Sequence, residues 1–200
     1  MMAARDELTQ QHSQRVQRYA LALAREAGIT DGLLLDAIDG AALLHDIGKL
    51  GVPDRVLQKP GPLTRDEYDQ VKQHAAIGAD ILTAAAFPSP LARIVRHHHE
   101  NWDGTGYPDR LRGQAIPAGA RVLAIVDCYD ALTSDRPYRR ALSHGSAVAM
   151  IHERRGTMYD ADIADAFLRI VQHLHHASPR DCADRRQTRA NAPWLEERAV

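Results

Sequence analysis

Histidine and aspartate residues interrupt the apolar faces of several predicted helices, and this feature constrains the fold more than any other. The chain contains eleven histidines but only two Phe and two Trp. An ionisable side chain at a core-facing position is costly to bury unless it is paired, hydrogen-bonded or bound to a cation. The chain must therefore fold so that these groups meet suitable partners, and metal binding is the first function to consider.

Length, charge and cysteine content exclude several protein classes. A chain of 200 residues with a formal charge of −1 is typical of one ordinary domain. It can bury roughly 70% of its unfolded surface without staples, and Cys128 and Cys182 offer no disulfide framework, which favours a reducing cytoplasm. No apolar run approaches the ~20 residues of a membrane span, and no broad basic field suits nucleic acid. We therefore expect neither a membrane nor a nucleic acid as partner.

Apolar residues recur at helical spacing along most of the chain. The pattern predicts helices over about residues 7–27, 33–45, 64–82, 91–99, 121–132, 143–154 and 160–175. The run 122–126 would also suit a buried strand, and we predict a helix because every neighbouring segment is helical. The sum is an all-α, bundle-like domain of six to eight helices over residues 1–176, followed by a polar C-terminal tail over residues 177–200.

Two segments rich in Gly and Pro are predicted as loops, over residues 51–62 and 101–119. The second is long, and ordered loops of that length are usually functional.

The candidate metal ligands are ionisable residues at inward-facing helical positions: His12, His45, Asp46, His74, the triplet His97, His98 and His99, and Asp127. Taken alone, His45 and Asp46 would be interpreted as a pair at a helix end that is hydrogen-bonded to the backbone. His12 alone would be interpreted as a core histidine whose ring nitrogens have hydrogen-bond partners. A separate structural explanation for every member of the set is improbable. We expect the later histidines, His144 and His152 among them, to face solvent.

Imidazole and carboxylate ligands suit Mn, Fe, Co, Ni or Zn, and the lack of usable thiolates argues against a structural zinc site of the cysteine type. Five histidines and two aspartates from this set exceed the needs of one metal, whereas two metals bridged by one carboxylate would use them. Such a pair, about 3.5–4 Å apart, generates a hydroxide near neutral pH and holds both the attacking and the leaving oxygen. The ligand set therefore predicts phosphoester hydrolysis.

An ordered series of motifs resembles the HD-GYP subgroup of the HD-domain phosphohydrolases. The motifs are HDIGK at 45–49, KPGPLT at 59–64, His74 with Gly78, HHE at 98–100, DGTGYP at 103–108, and Asp127 with DALTSDRPYR at 130–139. The resemblance covers about residues 8–172, and the combination is highly specific, although Gly-Tyr-Pro alone would mean little.

The resemblance implies a binuclear centre of divalent transition metals. A site rich in histidine and without thiolates favours Fe or Mn, and zinc or nickel can also occupy it during purification. One metal would be held by His12, His45, Asp46 and Asp127, and the other by Asp46, His74, His98 and His99, so that Asp46 is the bridge. Members that hold three metals carry a glutamate four residues before the first histidine, where this chain has Leu8. Glu7 would point about 100° away on a helix, so we expect two metals.

Further residues match positions of the family that face the substrate. Lys49 resembles a lysine near the reacting phosphate, and Arg136 and Arg139 resemble basic positions that contact substrate phosphates. Gly106 and Tyr107 belong to the loop that forms a wall of the family's active site. Without the resemblance, these residues would be a solvated lysine, surface ion-pairing arginines and a plain structural loop. No family role is assigned to His97, which we expect to be structural or to support a ligand.

The function implied is metal-dependent hydrolysis of cyclic di-GMP, an intracellular bacterial second messenger, to pGpG and more slowly to GMP, with Asp46 and Lys49 as the catalytic residues. The alternatives are an HD phosphohydrolase acting on another nucleotide, or a signalling module that binds cyclic di-GMP or a cyclase without turnover. The family associates the loop at residues 104–108 with contacts to diguanylate-cyclase domains. Family members usually follow a receiver or sensor domain, so this sequence is either a stand-alone enzyme or a catalytic fragment, and its oligomeric state is open.

Overall fold

The computed structural model describes residues 2–135 and 140–176, and the regular elements in these ranges are helices, with no β-strand among them. The α-helices are α1 Met2–Glu26, α2 Gly32–Leu44, α3 Asp54–Leu57, α4 Arg65–Lys72, α5 His74–Ala84, α6 Ser89–His97, α7 Ala118–Thr133, α8 His144–Glu153 and α9 Ala161–His176. Two 3-10 helices, Ile47–Gly51 and Gly113–Ala115, lie between them. The all-α prediction is confirmed: α3 is a single turn, and the other α-helices of the described part each span eight residues or more.

The hydrophobic core lies where α1, α2, α7 and α9 pack together, with α5 and α6 against one side. Its fully buried members include Val16, Leu23, Ile38, Leu123 and Phe167. Burial of each such side chain contributes roughly 1.5–3 kcal/mol to folding. This apolar packing fixes α1 against α7, and the polar residues of both helices thereby come to lie on the same side of the core.

The segment 64–82, predicted as one helix, is two. Helix α4 begins at a capping box in which the Glu67 amide donates to Thr64 Oγ1 and the Thr64 amide donates to Glu67 Oε2. The chain then turns at Gln73, and α5 begins at His74. At the break the Val71 carbonyl accepts a hydrogen bond from the His74 ring, a use of that carbonyl which the apolar pattern does not encode.

Smaller differences from the predictions follow from local contacts. The predicted loop over residues 51–62 contains the one-turn helix α3, which buries Val56. Residues 122–126 are helical as predicted, inside α7. His144 is half-buried and forms a hydrogen bond of 2.8 Å with the Tyr129 hydroxyl, so its predicted exposure is wrong, whereas His152 is exposed.

The predicted tail over residues 177–200 lies outside the described residues, as do Arg136 and Arg139, and the side chain of Leu8 is likewise not described. Within the described ranges, no helix combines the length and the apolar character needed to cross a membrane.

Gly48 permits the close approach that joins the end of α2 to α5. A Cβ atom at Gly48 would lie 1.9 Å from the His74 carbonyl oxygen and 2.5 Å from the Gly78 amide nitrogen. Both neighbours are backbone atoms, which cannot swing aside as a flexible side chain can. Only glycine therefore allows the 3-10 helix Ile47–Gly51 to lie on α5, and this contact brings His45 and Asp46 up to His74.

We expect Gly48→Ala to lower the free energy of unfolding by roughly 3 kcal/mol, the upper range for overpacking of a tight contact. Chemical denaturation followed by circular dichroism measures this change. Gly145→Ala is the matched control, since a Cβ there meets nothing within 4 Å, and its position in α8 should make the substitution neutral or stabilising by up to about 1 kcal/mol. Equal stability of the two variants would contradict the proposed role of Gly48.

Candidate metal centre

The seven predicted ligands converge from separate parts of the chain. They are His12 from α1, His45 and Asp46 from the end of α2, His74 from the start of α5, His98 and His99 from the end of α6, and Asp127 from α7. Two groups stand out, in which the possible ligand atoms all lie within 4.8 Å of one another: His12 with His45 and Asp46, and His74 with His98 and His99. The fold thus brings together residues up to 115 positions apart.

Backbone hydrogen bonds determine which ring nitrogen faces the centre in three of these histidines. The Nδ1 atoms of His45, His74 and His98 lie 3.0, 2.7 and 2.6 Å from the carbonyl oxygens of Ala42, Val71 and Val95. Because a carbonyl oxygen only accepts, each Nδ1 must carry the proton. When these rings are neutral, each Nε2 therefore presents a lone pair to the centre, which is the form of imidazole that binds a metal.

Two close contacts between Nε2 atoms reveal where positive charge is needed. The Nε2 atoms of His74 and His98 are 3.4 Å apart, as are those of His12 and His45. The neutral rings of His74 and His98 present two lone pairs that repel each other at this distance unless a cation lies beside both, whereas a protonated His12 can donate to the lone pair of His45. The donor set of imidazole nitrogens and carboxylate oxygens fits divalent transition-metal ions, so each group can hold one.

Asp46 belongs to the first group and also directs its other oxygen toward the second. Its Oδ2 is 3.7 Å from His45 Nε2, and its Oδ1 is 3.7 Å from His74 Nε2. The Lys49 ammonium group donates a hydrogen bond of 2.6 Å to Oδ2. Asp127 adds a second carboxylate to the first group, with Oδ1 at 3.4 Å from His12 Nε2. A carboxylate placed as Asp46 is can contact ions in both groups.

The electrostatic environment keeps most of these groups in the protonation state that a metal requires. Burial, reinforced by His45 and His74, lowers the pKa of His98 to about 3. Burial would raise the pKa of Asp46, but Lys49 and His45 hold it well below its ordinary value. The second group therefore offers neutral imidazoles beside a charged carboxylate.

His12 differs from the other ligands in its proton affinity. Burial would lower the pKa of His12, but hydrogen bonds with Asp127 and Asp130 raise it to about 9. In the absence of a metal, a proton on this ring supplies the positive charge of the first group, and a bound ion would displace it.

The sequence profile of the family described as HD domain matches residues 1–163. The chain belongs to the HD-domain family. The HD-GYP resemblance drawn from its motifs is confirmed by relatives and by structural neighbours, and HD-domain phosphohydrolases bind divalent metals.

A curated Vibrio cholerae protein named cyclic di-GMP phosphodiesterase is 40% identical over 183 residues, which cover 84% of this chain and 37% of that protein. Another from Vibrio cholerae, named 3'3'-cGAMP-specific phosphodiesterase 3, is 40% identical over 171 residues, covering 86% and 37%. The solved structure of Bd1817 from Bdellovibrio bacteriovorus, described as an HDG"Y"P protein, matches with a TM-score of 0.67 at 22% identity, covering 82% of this chain and 52% of that one. The chain spans less than half the length of these curated relatives.

The loop over residues 101–119 follows the histidines of the second group and is hydrogen-bonded to the residue directly after them. The buried Glu100 carboxylate accepts hydrogen bonds from the backbone amides of Asp109, at 2.8 Å, and Leu111, at 3.1 Å. Gly106 packs so closely that a Cβ there would lie 2.5 Å from the His99 carbonyl oxygen. The Tyr107 ring lies 4.9 Å from the His99 ring. Tyr107 is therefore beside the centre, whereas the contacts of Gly106 are with backbone.

The remaining predicted residues are placed as follows. Lys49 lies at the centre through its bond to Asp46, with 44% of its side chain exposed. His97 points away from the centre: its Nδ1 bonds to the Arg93 carbonyl at 2.8 Å and its Nε2 lies 2.9 Å from Asp109 Oδ2. His97 therefore supports the loop, while the predicted roles of Lys49, Gly106 and Tyr107 toward substrate stay predictions.

Two residues in contact with the centre were assigned no role from the sequence, although Asp130 opens the motif at 130–139. Asp130 is buried and accepts a hydrogen bond of 2.7 Å from His12 Nδ1, and Arg15 donates to both Asp130 oxygens. Helical spacing could have found both residues. Asp130 stands three positions after Asp127 on α7, and Arg15 stands three positions after His12 on α1, so each shares the face of a predicted ligand.

We expect Mn²⁺ to stabilise the folded chain, because the side chains that would bind the ion converge only in the folded state. Free Mn²⁺ at about 100 times its Kd should add about 2.7 kcal/mol per site to the free energy of unfolding, and a chelator should remove this gain. Denaturation curves with and without Mn²⁺ measure it. His98→Ala should reduce the metal-dependent gain and His152→Ala should not; the same gain in both variants would exclude His98 as a ligand.

Proposed function

We propose that this domain is a metal-dependent phosphodiesterase that hydrolyses cyclic di-GMP to pGpG, and pGpG more slowly to GMP. The observation that carries the proposal is the position of Asp46, with one oxygen toward each histidine group. Relatives at 40% identity include a protein named cyclic di-GMP phosphodiesterase, which supports this substrate. The activity requires water activation and charge neutralisation at a phosphodiester, and the ligand set suits both.

Two divalent transition-metal ions, Fe or Mn, fit this ligand set. One would be held by His12, His45, Asp46 and Asp127, and the other by Asp46, His74, His98 and His99. When bound, such a pair lowers the pKa of water and neutralises negative charge on phosphate oxygens. The absence of thiolates from the described centre favours these metals over a structural zinc site.

The protein's own residues orient the substrate around this centre. Asp46 remains ionised and is held in place by Lys49. The half-exposed ammonium group of Lys49 is also placed to stabilise negative charge that develops on the reacting phosphate. Tyr107 forms a wall beside His99, where its ring can limit the approach of water and contact a base. Arg136 and Arg139 are proposed to bind the second phosphate through their guanidinium groups.

A second substrate deserves a direct test. One relative at 40% identity is named a 3'3'-cGAMP-specific phosphodiesterase, so a cyclic dinucleotide with one adenine is the main competing substrate. The two molecules share their phosphodiesters and differ in one base. A competition assay distinguishes the two assignments. Both substrates are supplied at equal concentration in one reaction, and chromatography measures which of them is consumed first.

A binding module without turnover is the alternative from another class. The complete set of ligands argues against it, since binding alone does not need a centre that activates water. Tight binding of cyclic di-GMP without hydrolysis by metal-loaded protein would support that alternative. A cyclase contact through residues 104–108 and a cytoplasmic location are compatible with either function and stay predictions.

We expect Asp46→Ala to reduce turnover of cyclic di-GMP to background, because the substitution removes the oxygens that face both groups. Elemental analysis after anaerobic purification should show a parallel loss of bound metal. Asp46→Asn, which preserves side-chain size, tests whether charge rather than volume is required. His152→Ala is the control and should leave turnover and metal content unchanged, because His152 is exposed; equal effects at positions 46 and 152 would refute the assignment.

The product distribution should reflect two metals rather than three, because Leu8 replaces the additional glutamate. We expect pGpG to accumulate before GMP forms in a chromatographic time course with excess cyclic di-GMP. Leu8→Glu should speed the second step relative to the first. Formation of GMP without transient pGpG in the unmodified protein would contradict the two-metal expectation.

A further inference from the structure

The histidine rings of the centre differ in the acceptor to which Nδ1 donates. His45, His74 and His98 each donate Nδ1–H to a backbone carbonyl, as described above. His12 instead donates from Nδ1 to a side-chain carboxylate, that of Asp130, at 2.7 Å. A carboxylate is a stronger acceptor than a carbonyl and makes the opposite ring nitrogen a better metal ligand.

Asp130 is itself held in one orientation. It is 1% exposed, and a carboxylate this deeply buried needs a cationic partner. Arg15 supplies that partner in a forked arrangement, with Nε 2.5 Å from Oδ1 and Nη2 2.9 Å from Oδ2. Arg15 Nη2 also donates to Ser134 Oγ at 3.0 Å, near the end of α7. The fork fixes both the rotation of the carboxylate and the oxygen that receives His12.

We propose that Arg15 and Asp130 are positioning residues that orient His12 and thereby set the metal affinity of the first group alone. The proposal rests on the proposed two-metal function. Arg15 reaches the centre from the same helix as His12, one turn away, while Asp130 lies one turn from Asp127 on α7. The pair therefore joins the two helices that supply His12 and Asp127, which are two of the three ligands assigned to the first metal alone.

The effect is confined to one group for a structural reason. The ring of His74 is held by the Val71 carbonyl of α4 and the ring of His98 by the Val95 carbonyl of α6. The bonds of Arg15 and Asp130 go to each other, to His12 and to Ser134. Disruption of the pair releases one imidazole without altering the supports of the other group. Loss of an outer carboxylate partner typically weakens metal affinity 10–100-fold.

The test uses the full chain and Mn²⁺ as the probe, with stoichiometry and affinity measured by calorimetric titration after chelation. Wild type should bind two ions. Arg15→Met and Asp130→Asn should each weaken one ion about 10–100-fold and leave the other at wild-type affinity. Arg18→Met is the matched control, because Arg18 lies on the same helix and is exposed. Wild-type affinity at both positions in Arg15→Met and Asp130→Asn would overturn the proposal.

A second measurement separates positioning from a general loss of structure. In Zn²⁺-loaded protein, ¹⁵N NMR of the histidine rings should show a protected Nδ1–H at His12 that Arg15→Met and Asp130→Asn lose, while the signals of His74 and His98 persist. Arg15→Lys keeps the charge but loses the fork, so its affinity should be intermediate. Equal weakening of both ions, or loss of all three ring signals, would show a structural role only and would overturn the proposal.

The outcomes also distinguish this inference from the proposed function. If wild type binds a single ion that Arg15→Met weakens, the two-metal function fails and the positioning role is supported. If wild type binds two ions and hydrolyses cyclic di-GMP, and Arg15→Met changes neither affinity, the proposed function stands and the positioning role fails.

Discussion

The hydrogen bond from a histidine Nδ1 to a carbonyl three residues earlier is the interaction on which the centre depends. It recurs at His45, His74 and His98, each at or near a helix end. There the backbone has carbonyls without helical partners, so a ring can use one at little cost. The same bond satisfies a buried polar atom, fixes the tautomer and directs Nε2 inward. This hydrogen bond therefore lowers the free-energy cost of burying the imidazoles, and it also orients Nε2 for metal binding.

Packing of helices converts these separate rings into one site. The apolar core sets α1 against α7, which places His12 near Asp127. The glycine contact between the 3-10 helix and α5 places Asp46 near His74. Neither contact involves the chemistry of the site, yet each fixes a distance within it. The centre is therefore sensitive to substitutions that do not touch a ligand.

The sequence was sufficient to predict the helical class from periodicity, and a cluster of inward-facing histidines and aspartates from the cost of burying charge. The choice of seven ligands, which leaves out His97, came from the resemblance to the HD-GYP subgroup. The sequence was insufficient to predict the helix break at Gln73, where the His74 ring donates a hydrogen bond to the Val71 carbonyl. It was also insufficient at His144, whose hydrogen-bond partner Tyr129 lies on another helix. Asp130 and Arg15 share a helical face with predicted ligands, but their mutual pairing depends on how α1 meets α7. Such errors arise where tertiary partners, rather than local pattern, decide a residue's contacts.

Glu100 has a further consequence for how this molecule tolerates change. It directly follows His99 in the chain, and its carboxylate accepts hydrogen bonds from the backbone amides of Asp109 and Leu111, in the loop beyond Tyr107. A displacement of that loop is transmitted through a single peptide unit to an imidazole of the centre. A substitution that moves this loop is therefore expected to displace the His99 ring as well, even though the loop residue itself touches no ligand.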